Sequence, residues 1–244
     1  MSDEPLSSSG PRLFVDEALG GGRELKLPTA QSHYLSGVMR LKAGDTVRLF
    51  DDRTGEWLAT ISDAGRKSVT VTIGAQIAPR EAVPDLWLCA APIKRGRIDW
   101  VAEKACELGV AKLLPVLTRR TVVDKLNLDR LRAHMIEAAE QCERTALPEM
   151  QEPVTLAKLL DSWPADRQLI FCDEEGGVPL ASVAKPGAAA ILIGPEGGFD
   201  PAERERIRAL PQAVGVGLGP RVLRADTAAV AAVSLWQAAA GDWR

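Results

Sequence analysis

Between residues 11 and 78 the chain is built of short runs in which hydrophobic and polar residues alternate. These runs are residues 12–15, 47–50, 57–61 and 68–73. Period-two alternation is typical of half-buried strands, and closely spaced short strands favour a small β-barrel or sandwich. One helical segment interrupts them. It is predicted to begin at Thr29, a suitable N-cap, and to carry Tyr34, Leu35, Val38 and Met39 on a shared face.

After residue 85 the pattern changes to strands that alternate with helices. Predicted strands lie at residues 86–90, 112–116, 168–172, 189–193 and 214–216, and predicted helices at 98–108, 128–144 and 227–239. Gly109 is expected to end the first of these helices as a C-cap. The continuous apolar strands predict a mainly parallel sheet covered by helices. We therefore expect a disordered tail at residues 1–10, a β-domain at 11–78, a proline-containing linker at 79–85 and an α/β domain at 86–244.

Composition and charge restrict the possible functions. A content of 46% hydrophobic and 26% charged residues is that of a globular protein, and a chain of 244 residues can form two domains. No apolar stretch approaches the roughly 20 residues that cross a bilayer, and we expect a cytoplasmic protein. The net charge of -3 means that any RNA affinity must come from local basic patches.

The metal-binding residue types are few and scattered. The four cysteines form no C-x-x-C pair, and there are only two histidines. We therefore expect neither a zinc site nor a disulfide framework, and no metal cofactor.

Two glycine-rich loops follow predicted strands of the α/β domain. The first is Gly194-Pro-Glu-Gly-Gly198, followed by Asp200 and Pro201, which suit the cap and first position of a helix. The second covers residues 217–227. Neither matches a P-loop, and Pro220 interrupts the glycine pattern of a dinucleotide turn. The loops are either tight turns between strand and helix or the two walls of a site for a flat, adenine-bearing ligand.

These loops resemble the cofactor loops of the ribosomal RNA small-subunit methyltransferase E family of the SPOUT superfamily. The likeness includes the run Leu218-Gly-Pro-Arg-Val-Leu-Arg224 and extends, in order, from about Pro11 to Gln237. Further matching segments are residues 12–15, 33–35, 39–41, 44–45, 107–110 and 140–144, together with Lys104 and Pro148. The chain departs from the family pattern at Cys142, where serine is usual, and at Ala225 and Asp226, where threonine and glutamate are usual.

The resemblance implies an N-terminal PUA-like β-barrel that binds RNA and a SPOUT-type α/β domain with a C-terminal trefoil knot at about residues 189–240. It implies a homodimer that uses S-adenosyl-L-methionine to methylate N3 of one specific uridine in 16S ribosomal RNA of the small subunit. A knot is outside what local patterning can predict, because knots are rare exceptions to chain topology.

Residue types suggest roles within such a site. The N3 nitrogen of uracil is a poor nucleophile until it loses its proton, and fixed guanidinium groups can stabilise charge on the flanking carbonyl oxygens. Our catalytic candidates are Arg224 and Arg221, with Glu196 as the first and Asp226 as the second possible general base. Glu196 has an alternative structural role as a cap of its own loop, and Asp226 is expected to cap the last helix.

The remaining expected site residues fall into two groups. We expect cofactor contacts from Ile193, Gly194, Pro195, Gly197, Gly198, Leu218, Gly219 and Leu223. We expect RNA contacts from Arg12, Arg40, Lys42, Lys94, Arg95, Arg97, Arg119, Arg120, Gln141 and Arg144. Each basic cluster has the alternative interpretation of a solvated surface.

Three other functions remain open at this point. One is a non-catalytic RNA-binding dimer, which would not bind S-adenosylmethionine. Another is an enzyme that binds a nucleotide or phosphate in the same loops, although the P-loop lysine is missing. The third is a SPOUT methyltransferase that acts on another RNA, such as tRNA.

Overall fold

The computed structural model describes residues 10–65, 68–123 and 125–243. The predicted disordered tail therefore lies, apart from Gly10, outside the described residues. The chain divides into two compact units. The first contains residues up to 82 together with 140–146, and the second contains residues 83–139 and 147–244. The break at 82 falls within the predicted linker, whereas the return of residues 140–146 to the first unit was not predicted.

The first unit contains a five-stranded sheet. Its strands are β1 (Arg12–Phe14), β2 (Glu24–Lys26), β3 (Thr46–Asp51), β4 (Gly55–Ala64) and β5 (Val69–Pro79), in the order β1-β3-β4-β5-β2. β1 and β3 are parallel and the other neighbours are antiparallel. Val47, Leu49, Ala59, Val69 and Val71 are fully buried, which confirms the period-two prediction. β2 was not predicted because three residues are too few to show alternation.

The predicted helix of the first unit has two parts. α1 (Thr29–His33) runs directly into a π-helical turn, Tyr34–Val38. The residue before α1 is Pro28, which makes no side-chain cap, so the prediction of Thr29 as the N-cap is wrong. Of the predicted shared face only Leu35 is buried, while Tyr34, Val38 and Met39 are exposed.

The second unit is built around a parallel sheet. Its strands are β6 (Leu86–Ala90), β7 (Lys112–Leu117), β8 (Glu149–Met150), β9 (Val154–Thr155), β10 (Gln168–Cys172), β11 (Val178–Pro179), β12 (Ala189–Ile193) and β13 (Ala213–Gly217). The order is β11-β13-β10-β12-β6-β7-β8, with β9 paired to β7. Every pairing is parallel. β10 lies between β13 and β12, so the loops that leave these three strands are neighbours.

Helices connect most of these strands. They are α2 (Arg97–Glu107), α3 (Leu128–Cys142), α4 (Leu156–Asp161), α5 (Pro201–Arg208) and α6 (Ala225–Ala240). All five residues of β12 are buried, as expected for a strand covered on both faces. No helix among the described residues is long and apolar enough to span a bilayer.

The helix ends test three local predictions. Gly109 follows α2 with a φ of 77°, the left-handed conformation that ends many helices. Asp200 caps α5 in a capping box with Glu203, and Pro201 is the first helical residue. Both predictions are confirmed. The third is wrong, because Arg224 is the N-cap of α6 and Asp226 lies inside its first turn.

Candidate active site

A cavity of about 540 Å³ opens at the carboxyl ends of β10, β12 and β13. Parallel α/β sheets bind ligands at this edge, outside the carboxyl ends of the strands. Both predicted glycine-rich loops line the cavity, and all eight expected cofactor-binding residues are among its walls. The space between the loops is therefore open rather than filled by packed side chains.

Sequence reasoning missed a third wall of the cavity, the loop after β10. Its lining residues are Cys172, Asp173, Glu174 and Gly176. The run Asp173-Glu-Glu175 directly after an apolar strand was the signal that could have identified it. Charged residues at the carboxyl end of a central strand seldom serve the core.

A buried guanidinium organises this acidic loop. Arg204 on α5 is only 8% exposed and pairs with Asp173, Glu174 and Glu175. Arg208, one turn later, also binds Asp173, and this hydrogen bond raises the pKa of the Arg208 side chain. Because the arginines come from the helix that follows the first glycine loop, they join two walls of the cavity.

Gly198 shows how closely those two walls approach. Its φ is 66°, a backbone conformation that residues with a side chain rarely adopt. A Cβ at this position would also collide with the carboxylate of Glu174. Burial raises the pKa of the neighbouring Cys172 thiol to about 12, so this cysteine remains a neutral part of the wall. The wall thus combines backbone, small residues and the two fixed carboxylates of Asp173 and Glu174.

Three of the four predicted catalytic residues line the cavity. Arg221, Arg224 and Glu196 are all exposed at it. Within the described part of the chain neither arginine has an ion-pair partner, and Glu196 accepts no hydrogen bond from its own loop. The structure therefore contains no sign of the alternative role of Glu196 as a loop cap.

Asp226 does not fit its predicted role as a second base. It is not among the residues that line the cavity, and its carboxylate is 3.1 Å from the guanidinium of Arg97. The same carboxylate accepts the backbone N–H of Thr227. Asp226 therefore holds the first turn of α6 and Arg97 in place, a structural role rather than that of a base.

The predicted RNA-binding arginines of the second unit have different environments. Arg120 donates to the carbonyl of Gly197 at 2.8 Å, and Arg119 pairs with Asp200 at 2.9 Å. Both therefore hold the first glycine loop from the end of β7, a connection the sequence did not predict. Lys94 and Arg95 are exposed, and neither forms an ion pair with a described residue.

In the first unit two predicted RNA contacts need correction. Arg12 is 6% exposed: it pairs with Glu56 at 2.9 Å, lies over the ring of Phe50 and donates to the carbonyl of Arg144. Arg144 is 5% exposed and pairs with Glu81. Both guanidinium groups are used inside the unit, so neither is available to a phosphate.

The other predicted RNA contacts of the first unit, Arg40, Lys42 and Gln141, are exposed. Among the described residues no group of three or more histidine, cysteine or acidic side chains is arranged to hold a metal ion.

Two family models match the chain. A model described as an RNA methyltransferase domain matches residues 79–237, and one described as an RNA methyltransferase PUA domain matches residues 27–74. The first covers more than half of the chain. The first unit is thus a PUA-like domain, and the second has a SPOUT-type methyltransferase fold.

Individual proteins agree with the models. The chain is 29% identical to the ribosomal RNA small subunit methyltransferase E of Rickettsia conorii, over 91% of this chain and 93% of that one. It is 31% identical to the protein of the same name from Synechocystis, over 85% and 71%. A crystal structure of that enzyme from Neisseria gonorrhoeae, bound to S-adenosyl methionine, matches with a TM-score of 0.87, 27% identity and coverage of 96% and 100%. With the matched domains in the same order and the cavity at the expected sheet edge, the chain belongs to the ribosomal RNA small subunit methyltransferase E family.

Proposed function

We propose that this protein transfers a methyl group from S-adenosyl-L-methionine to 16S ribosomal RNA of the small ribosomal subunit. The observation that carries the proposal is the cavity whose three walls come from neighbouring parallel strands. Two of these walls are the loops that resemble the family's cofactor loops. A relative of the same family, from Neisseria gonorrhoeae, has been crystallised with this methyl donor.

The cavity suits an adenosyl sulfonium in size and chemistry. Its 540 Å³ is within the range of small-molecule sites, and Ile193, Leu218 and Leu223 supply apolar surface for a flat ring. Backbone groups of Gly194, Gly197 and Gly219 can read the edge of the base. The three acidic side chains after β10 face two arginines, Arg204 and Arg208, so this wall keeps a net negative charge beside a ligand that carries a positive sulfur.

The chain's own residues address the difficulty of the reaction at N3 of a uridine. When bound, the cofactor supplies an electrophilic methyl group, so no metal is required. Arg221 and Arg224 place at the cavity two guanidinium groups that pair with no described acid, and there they can stabilise negative charge on the two carbonyl oxygens beside N3. A fixed donor of this kind contributes about 3 kcal/mol, or roughly a hundredfold in rate.

Glu196 is the residue we assign to the proton on N3. It is exposed at the cavity between Pro195 and Gly197, and no described residue donates a hydrogen bond to its carboxylate. A carboxylate within reach of the N–H can accept its proton as the methyl group is transferred. If proximity alone drives the reaction, Glu196→Gln will retain full activity across a pH series.

The family resemblance supports three further parts of the proposal. We propose that the chain forms a trefoil knot at about residues 189–240. We also propose that the protein is a homodimer and modifies ribosomal RNA in the cytoplasm. Arg40, Lys42, Lys94, Arg95 and Gln141 are proposed to contact RNA, and the salt dependence of binding will reveal phosphate contacts of the four cations among them.

The test is a transfer assay with labelled S-adenosylmethionine. The purified protein is offered deproteinised 16S ribosomal RNA, intact small subunits and tRNA, and the modified nucleoside is identified by mass spectrometry. We expect label in N3-methyluridine of small-subunit RNA and none in tRNA. Label at another base would refute the assigned target. Absence of transfer to every RNA, with no cofactor binding, would leave the non-catalytic RNA-binding dimer.

A further inference from the structure

The π-helical turn of the first unit exposes an unusual group of side chains. Met39 donates its backbone N–H to the carbonyl of Tyr34 at 2.9 Å, which closes the turn over five residues. Leu35 is fully buried in the core, while Tyr34, Val38 and Met39 are 38%, 60% and 42% exposed. The core therefore anchors this turn by Leu35 and leaves an aromatic and two apolar side chains at the surface.

The backbone of this segment has a second uncommon feature. Arg40, directly after the turn, has a φ of 57°, one of two positive values among the described non-glycine residues. Leu41 then donates to the carbonyl of Leu35 at 2.9 Å, which turns the chain back toward β3. π-Helical turns and left-handed residues of this kind cost free energy and occur frequently at functional sites.

The segment that contains the turn carries charged side chains of one sign. Residues 28–44 contain no aspartate or glutamate but include His33, Arg40 and Lys42, although the whole chain has a net charge of -3. Arg40 and Lys42 are exposed and form no ion pair with any residue that the structure describes. The next acid, Asp45, uses its carboxylate to accept the backbone N–H of Lys42 at 2.7 Å.

An exposed aromatic ring in the same short segment as two exposed cations, neither of which forms an ion pair with a described residue, matches one partner in particular. Single-stranded nucleic acid offers bases that stack on aromatic side chains and phosphates that bind cations. A duplex offers no free base face, and a protein partner would need acidic groups for the cations. We propose that this patch, the Tyr34 surface (His33, Tyr34, Val38, Met39, Arg40 and Lys42), binds an unpaired nucleotide of the substrate RNA.

In this interaction the base stacks on the ring of Tyr34, beside Val38 and Met39, and the flanking phosphates contact Arg40 and Lys42. The inference rests on the proposed function, because it assigns part of the RNA binding to the first unit. The cofactor cavity lies entirely in the second unit, so the two sites can be tested separately.

The test compares Tyr34→Ala with Tyr34→Phe, which keeps the stacking ring. Binding of a fluorescent single-stranded fragment of 16S ribosomal RNA, and of the same fragment in a duplex, is followed by anisotropy. Loss of one stacked base is expected to weaken single-strand binding about tenfold, whereas Tyr34→Phe retains it. Val122→Ala removes a side chain that is 86% exposed in the second unit and serves as the matched control.

Kinetics separate this proposal from the proposed function. Tyr34→Ala should raise KM for RNA about tenfold, leave kcat at saturating RNA unchanged and leave calorimetric binding of S-adenosylmethionine unchanged. Arg40→Gln should reduce the salt slope of RNA binding by about one.

Several results would overturn the inference. If Tyr34→Ala binds RNA as tightly as the wild type, the inference is wrong. If the variant also changes its oligomeric state, the surface is a protein interface instead. If Tyr34→Ala does not fold, Met39→Gln is measured in its place, with the same expected loss of single-strand binding and the same outcomes that would overturn the inference. A wild type that binds single strands through Tyr34 but transfers no methyl would refute the proposed function alone.

Discussion

Arg12 of the first unit and the two arginines at the cavity of the second unit serve opposite purposes. In the first unit Arg12 is buried, and its guanidinium pairs with Glu56, lies over the ring of Phe50 and donates to the carbonyl of Arg144. At the cavity of the second unit Arg221 and Arg224 are exposed and have no ion-pair partner among the described residues. A guanidinium held by protein groups stabilises a fold, whereas one aimed into an open cavity remains available to a ligand. The two environments therefore predict losses of different properties.

The largest effect is expected for Arg12→Ala. This change leaves the carboxylate of Glu56 buried, with Arg48 at 3.3 Å as its remaining ion-pair partner among the described residues. Removal of one member of a buried ion pair costs about 3 to 5 kcal/mol of the free energy of unfolding, measurable by urea denaturation. Arg53, an exposed residue of the same unit, provides the control, since Arg53→Ala should change stability very little. Equal effects of the two changes would remove the distinction.

Arg224→Ala is expected to produce the reverse result. The rate of methyl transfer should fall by roughly a hundredfold, or about 3 kcal/mol in the transition state, with an unchanged thermal unfolding curve. Arg206→Ala removes an exposed arginine of the same unit that does not line the cavity, and should retain the wild-type rate. Full activity of Arg224→Ala would remove it from the site.

Asp51 extends the comparison to a buried acid of the first unit. Burial acts to raise the pKa of its carboxyl, but hydrogen bonds from Thr54, Leu19 and Arg53 outweigh this and leave the pKa below its usual value. Asp51→Asn should cost about 1 to 3 kcal/mol of stability at neutral pH. The carboxylate's contribution is complete above the unfolded-state pKa of about 4 and disappears as the pH falls through the lower folded-state value.

Urea denaturation at several pH values tests this expectation. The stability difference between wild type and Asp51→Asn should be constant from pH 7 to about pH 5 and should shrink at lower pH. A difference that stays constant through pH 3 would contradict the assigned role.

The smallest effect is expected at a residue that combines both kinds of behaviour. Arg120 is exposed, yet it holds the first glycine loop through the carbonyl of Gly197. Arg120→Gln should weaken S-adenosylmethionine binding by roughly three- to tenfold, the value of one hydrogen bond of about 1 kcal/mol. Calorimetry without RNA measures this, with Arg206→Gln as the control. Unchanged affinity would mean that the loop does not need this bond.

The regular elements were predictable, because repeated local patterns specify them. The strands at 86–90, 168–172 and 189–193 lie where their apolar runs predicted. The two glycine loops were recognised from residues that turns require, and from family resemblance. Partners that are distant in sequence could not be predicted. Arg12 and Arg144 looked like surface cations because their neighbours, Glu56 and Glu81, are far away in the chain.

The same limit explains the missed third wall of the cavity. The loop after β10 joins the site only because β10 lies between β12 and β13, an order that the chain order does not reveal. Asp226 was predicted to be a general base because it lies near a glycine loop in the sequence. In the structure it binds Arg97, which is 129 residues away and could not be recognised as its partner.

Calorimetric binding of S-adenosylmethionine to a variant with a filled cavity tests the central claim most directly. Ala228 on α6 lines the cavity, and Ala238 on the same helix is exposed outside it. We expect wild type and Ala238→Trp to bind the cofactor saturably, and Ala228→Trp to bind none while it unfolds at the same temperature. Wild-type affinity in Ala228→Trp would mean that the three loops do not enclose the cofactor.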